Sequence, residues 1–138
     1  MKIEKSLPPK SIWERVKNAG MTPNEQTVLF TYGDTLYNPG GQLIPDYLIE
    51  HEETHCKQQG DNPDLWWERY LTEPYFRLSQ ETEAYANQYD FLCRVIKDKN
   101  QQFRLLLEIS KTLASPLYGN LIDRSIARKM IKEKSKNG

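Results

Sequence analysis

The chain has 138 residues, 38% of them apolar, with 19 basic residues balanced by 19 acidic ones. That length fits a single domain over residues 1–138 and can bury a core without disulfide or metal staples. Zero net charge excludes bulk electrostatic attraction to nucleic acid as the main activity. No apolar run approaches the roughly 18 residues of a membrane span, so neither nucleic acid nor membrane is an expected partner.

The chain opens with "MKIEKSLPPK", which lacks the apolar segment of a signal peptide. Residues 1–8 read as a flexible tail. "PPKSIWERVKNAGM" then places Ile12, Trp13 and Val16 near helical spacing, with Gly20 as a stop, and predicts a short helix. After Pro23 the character changes. "QTVLFTYGDTLYNPGG" is rich in β-branched and aromatic residues around a Gly33-Asp34 turn, which predicts a hairpin with strands at about 26–32 and 35–38. From Pro45 onward the pattern is helical. "DYLIEHEETHCKQQ" runs to Gly60, Asn62-Pro63-Asp64 starts "LWWERYL", and Glu73-Pro74 starts the long "YFRLSQETEAYANQYDFLCRVIK". A break near Asp98 to Asn100 precedes "QQFRLLLEISKTLA", "SPLYGN" reads as a loop, and "LIDRSIARKMIKEK" is the last helix. Residues 134–138 are expected to fray. The fold class is therefore α+β, mostly helical, with one small β element. Cys56 and Cys93 are single and far apart, which points to core thiols in a reduced, cytoplasmic compartment. The basic residues Arg124, Arg128, Lys129, Lys132, Lys134 and Lys136 gather near the C-terminus. They read as a solvated helix face, with a docking surface as the alternative.

The chemistry concentrates in "LIEHEETHCKQQ". Residues four apart on a helix differ by about 40° around its axis, so His51 and His55 project from one face and can hold one ion from adjacent turns. Imidazole nitrogen is a preferred zinc donor. Glu52 can reach the open fourth position and take a proton from a water held there, which is the logic of HExxH. The competing reading is two surface histidines on a polar helix. A hydrolytic zinc site needs a third protein ligand. Leu78, Glu81, Ala84, Tyr85, Gln88 and Leu92 share one face of the long helix, and Glu83 falls with Asn87, Asp90 and Arg94 on the polar face. An inward carboxylate is costly unless paired or coordinating, so Glu81 is the expected ligand. Glu83 is the reserve, as ligand or as a partner behind one.

His51-Glu-x-x-His55 followed by Glu81-x-x-Ala84-Tyr85 resembles the gluzincin metallopeptidases, whose third ligand is a Glu on a later helix. The layout over most of residues 27–122 is similar to small zincin-like proteins of phages and prophages. The resemblance implies a minimal zincin-like domain, with the hairpin packed beside the HExxH helix and the third ligand on a following helix. It implies Zn2+ and a hydrolase that cleaves protein or peptide substrates. A phage origin would place it in the host-cell cytoplasm or on the virion, with a phage or host protein as partner. It also implies that an edge strand, residues 26–32, pairs with an extended substrate, making Phe30 and Tyr32 the substrate-binding candidates. In one departure, Tyr85 stands where many gluzincins carry Asp or Asn to orient a ligand histidine. Its hydroxyl is the expected substitute.

Hydrolysis needs a donor for the developing oxyanion. Tyr118 is the first candidate and Tyr85 the second, against the plainer reading of Tyr118 as a packed aromatic. Of Trp66 and Trp67, adjacent on one helix, one is expected in the core and the other at a groove. Arg69 and Arg77 are expected in structural ion pairs. The leading functional reading is a small zinc metallopeptidase with Glu52 as base. The alternative is a non-catalytic zincin-like, zinc-binding module with a structural or an interaction role, which leaves Glu52 without a purpose. A metal-free helical interaction protein is a third.

Overall fold

Six helices and a three-stranded sheet account for the regular structure of residues 1–137, the part of the chain described by the computed structural model. The architecture is α+β and mostly helical. Among the described residues no helix is long and apolar enough to cross a membrane.

The sheet is smaller than the expected hairpin at one end and larger at the other. Strands β2 (Phe30–Tyr32) and β3 (Thr35–Tyr37) pair antiparallel across the Gly33-Asp34 turn, where Gly33 adopts φ 63°. Residues before Phe30 leave the strand because Asn24 gathers them into a turn. Its side chain accepts from the Gln26 amide at 2.8 Å, and its carbonyl accepts from Thr27 and Val28. At the other end, residues 1–8 are not simply a loose tail. Lys2–Glu4 form β1, parallel to β3, so the sheet order is β1-β3-β2. All three residues of β1 are exposed, so no burial pattern marks the strand. Backbone hydrogen bonds such as Asn38 N–H to the Glu4 carbonyl, 2.7 Å, hold it instead.

Helix α1 (Lys10–Asn18) buries Ile12, Trp13 and Val16, as its spacing requires. α2 (Asp46–Gln59) follows Pro45 and stops at Gly60 in a positive-φ conformation. α3 (Pro63–Thr72) is capped by the Asn62 side chain on the Leu65 amide, and α4 (Pro74–Val95) starts one residue beyond α3. α5 (Lys99–Leu113), a 3-10 turn at Pro116–Tyr118 and α6 (Arg124–Lys134) complete the chain.

Two apolar clusters flank the α2–α4 pair. One joins α4 to α5 and α6 through residues such as Tyr89, Leu106, Leu113 and Ile131. The other joins α1, β2 and α3. Both tryptophans are buried, against the expectation that only one lies in the core, and both also border the cavity described below. Adjacent helical positions lie about 100° apart, but α3 is covered on both of those sides. Trp67 stacks on Phe30 of β2, with ring centroids 4.4 Å apart, while Trp66 stacks on Tyr70 and faces His55 at 5.4 Å.

The C-terminal residues are also anchored. Asp90, expected on the polar face of α4, is buried. It accepts hydrogen bonds from the Ser135 hydroxyl, the Lys136 amide and the Asn137 side chain. An inward carboxylate needs such donors, and the short segment after α6 supplies them. Gly138, the last residue of the expected tail, lies outside the described residues.

Candidate metal centre

His51 and His55 stand one turn apart in the middle of α2, both buried, with their rings edge to face at 4.9 Å. α4 lies across them. Ala84, fully buried one turn after Glu81, presents only a methyl group at this crossing and lets the helices come close. The approach brings Glu81 Oε1 to 3.1 Å from His51 Nε2 and 3.1 Å from His55 Nε2. Candidate ligand atoms of these three residues all lie within 4.8 Å of one another.

Each imidazole is fixed from behind. His51 Nδ1 lies 3.0 Å from Gln88 Oε1, and His55 Nδ1 lies 2.8 Å from Gln58 Oε1. Amide oxygens only accept, so each Nδ1 is the N–H donor and each Nε2 is turned toward the shared centre. Two Nε2 atoms and a carboxylate oxygen therefore converge in a buried space and could hold a metal ion. In a tetrahedral zinc site, donors about 2 Å from the ion lie about 3.3 Å apart, close to the spacing here. The donor set fits a divalent metal, which His51, His55 and Glu81 could hold. Without one, a proton on His55 takes its place. Burial alone would lower the His55 pKa, but the charge and hydrogen bond of Glu81, with Glu52, raise it to about 9. Burial alone would raise Glu81, yet His55 and His51 hold it well below the usual carboxylate range.

The second oxygen of Glu81 is also engaged. Tyr70 on α3 donates its hydroxyl to Oε2 at 2.6 Å. Burial, then the Glu81 charge, push the Tyr70 pKa far up, so it remains a donor. Glu83 does not reach the centre. It accepts from Gln58 Nε2 at 3.0 Å, which places it behind His55 through Gln58. Tyr85 does not use its hydroxyl to orient a histidine. Its ring packs edge-on against His51 at 4.5 Å, and its hydroxyl bonds to that of Tyr118 at 2.7 Å. Gln88, almost one turn further along α4, holds the histidine instead. Tyr118 is buried in the 3-10 turn. Burial first, and the Glu81 charge second, raise both phenol pKa values. Arg77 is in no ion pair among the described residues. It donates to the backbone carbonyls of Tyr70 and Tyr118, bracing the two tyrosines. Arg69 does pair, with Glu73 at 3.2 Å.

A cavity of about 400 Å3 opens over the three ligands. Glu52 lies on its wall, and its Oε2 accepts from the Thr31 hydroxyl at 3.1 Å. Burial raises the Glu52 pKa, and the neighbouring His55 and His51 limit the rise. The strand alternates as a strand must. Phe30 contacts the cavity but its ring is locked in the core against Trp67, and Tyr32 bonds to Asp64 at 2.9 Å away from the centre. Thr31, between them, reaches the Glu52 carboxylate. Its carbonyl already accepts from Gln59 Nε2 at 2.8 Å and Trp67 Nε1 at 3.1 Å. That oxygen is not free to pair with a substrate strand. Val28, Leu29, Leu48 and Leu117 give the cavity an apolar side. Cys56 is half-buried and Cys93 buried, both as free thiols.

Tyr70, Gln58, Gln88 and Thr31 escape a reading of the sequence. Only Gln88 leaves a signal there, as a polar residue on the inward face of α4. No family model matches the chain, and comparison with curated proteins and with solved structures gives no match.

Proposed function

We propose that the protein is a zinc-dependent hydrolase, a small metallopeptidase of zincin-like architecture acting on a protein or peptide of phage or host. His51, His55 and Glu81 would hold the metal. When bound, it supplies Lewis acidity toward the scissile carbonyl and lowers the pKa of water toward neutrality. The observation that carries the reading is Glu52. Two imidazoles and one carboxylate also serve iron oxygenases. A second, non-ligating carboxylate, next in sequence to the first histidine and aimed along the cavity wall by Thr31, is what hydrolysis requires.

Glu52 takes a proton from the attacking water and returns it to the leaving amine. Its burial helps, because a carboxylate of raised pKa is a stronger base than an exposed one. Tyr118 and Tyr85 share one hydrogen bond, which leaves one phenolic proton of the pair for a carbonyl oxygen that gains negative charge. Substrate side chains lie along the apolar side formed by Val28, Leu29, Leu48 and Leu117. Phe30 lines the cavity with its ring held against Trp67, and Tyr32 is tied to Asp64.

Glu52→Gln tests the reading. The variant keeps its metal and loses hydrolysis of a mixed peptide library by roughly 100-fold or more. Wild-type activity in the variant contradicts the mechanism. A metal-loaded wild type that cleaves nothing favours the non-catalytic module.

A further inference from the structure

A second cavity, of about 610 Å3, lies between α5 and α6 over Tyr89 of α4, and shares no lining residue with the first. Its wall carries four cationic side chains, Lys99, Arg128, Lys129 and Lys132, and no acidic one. Among the described residues none of the four is in an ion pair. The nearby Asp90 carboxylate is already held by Ser135, Lys136 and Asn137. Arg128 and Lys132 are four apart on α6, and Lys129 and Lys132 three apart, so they stand on neighbouring turns and repel one another. A bound anion would remove that repulsion.

The cleft offers more than charge. Phe103 on its wall is 49% exposed, and the Arg128 guanidinium lies 5.9 Å from its ring centroid. Gln102, buried beside it, uses its amide N–H on the Ile96 carbonyl at 2.6 Å. Its Oε1 has no donor among the described residues, and neither has the Ser125 hydroxyl. A flat ring, an N–H acceptor and a set of cations thus surround a space within the range of ligand pockets, roughly 300–1,000 Å3.

We propose that this cleft binds a nucleotide. The base lies against Phe103 and gives an exocyclic N–H to Gln102 Oε1, while the phosphates meet Lys99, Arg128, Lys129 and Lys132. An acidic peptide would satisfy the cations alone and leave the ring and the amide oxygen unused. The site is independent of the metal centre and of the hydrolase reading.

Calorimetric titration of the full chain with ATP and with tripolyphosphate, both in excess chelator, tests this. One ATP binds per chain, and tripolyphosphate binds roughly tenfold more weakly, because it lacks the stacked ring. Phe103→Ala weakens ATP by roughly tenfold and leaves tripolyphosphate unchanged. Lys132→Glu, at a partly exposed position, weakens both, with the melting temperature measured alongside to show that the variant is folded. Equal affinity for ATP and tripolyphosphate overturns the nucleotide and leaves a general anion site. Absence of binding, or ATP affinity indifferent to both substitutions, overturns the site itself.

Discussion

Replacing Tyr70 by Phe removes one oxygen atom and leaves the ring in place against Trp66 and Trp67. No cavity forms, so the change isolates the hydrogen bond from Tyr70 to Glu81 Oε2. That bond is 2.6 Å long, donated to a buried carboxylate. Hydrogen bonds to charged groups contribute about 1.5–3 kcal/mol, and this one is of the short, charge-assisted kind. Without metal, its loss should lower the melting temperature by roughly 5–10 °C for a chain of this size. Metal binding should weaken as well. Tyr70 holds Oε2 so that Oε1 faces both imidazoles, and partners behind a ligand of this kind are worth roughly 10–100-fold in affinity. Competition against a chromogenic chelator measures the affinity, and melting in EDTA measures the fold. If Tyr70→Phe binds metal as tightly as wild type and melts at the same temperature, Tyr70 does not set the orientation of Glu81.

Two further outcomes follow from the buried charges. In the metal-free protein the His55 pKa rises from 6.5 to about 9, so a metal must displace a proton there. Its affinity should climb about tenfold per pH unit up to about pH 9 and level off above it, and a flat profile in non-coordinating buffers contradicts this. By the same shift, the metal-free fold keeps the His55 contribution below pH 6.5 and loses it as pH rises through about 9. Urea melts in EDTA across that range show the loss, and added metal reverses it. Ending the chain at Lys134 strips the donors from buried Asp90 and should cost about 2–4 kcal/mol of stability by urea denaturation. An unchanged midpoint would mean that the segment after α6 does not hold the fold.

What could be read from the sequence was what depends on periodicity. The three-and-four spacing of α4 picks Glu81 over Glu83, because an amphipathic helix leaves little choice about which side chains turn inward. The i, i+4 histidines follow from helix geometry in the same way. Tertiary partners left no such trace. Tyr70 sits on a different helix from the carboxylate it serves, and nothing in "WWERYL" distinguishes it from an ordinary core tyrosine. Gln88 was visible as an inward polar residue that needed a partner, but the partner was two helices back in sequence. Strand β1 was invisible because its three residues bury nothing and are held through the backbone. For the strand before the turn, alternation predicts that Phe30 and Tyr32 share a face, but not which face. The aromatic cluster of Trp13 and Trp67 draws them toward α1 and α3, and so leaves Thr31 to meet Glu52.

The measurement that tests the central claim most directly is the metal content of the purified protein, wild type beside Glu81→Ala and Glu83→Ala. The site described here predicts one zinc per chain in the wild type, its loss in Glu81→Ala and its retention in Glu83→Ala. Zinc lost only with Glu83 would contradict the ligand set. No zinc in the wild type after reconstitution would contradict the metal centre.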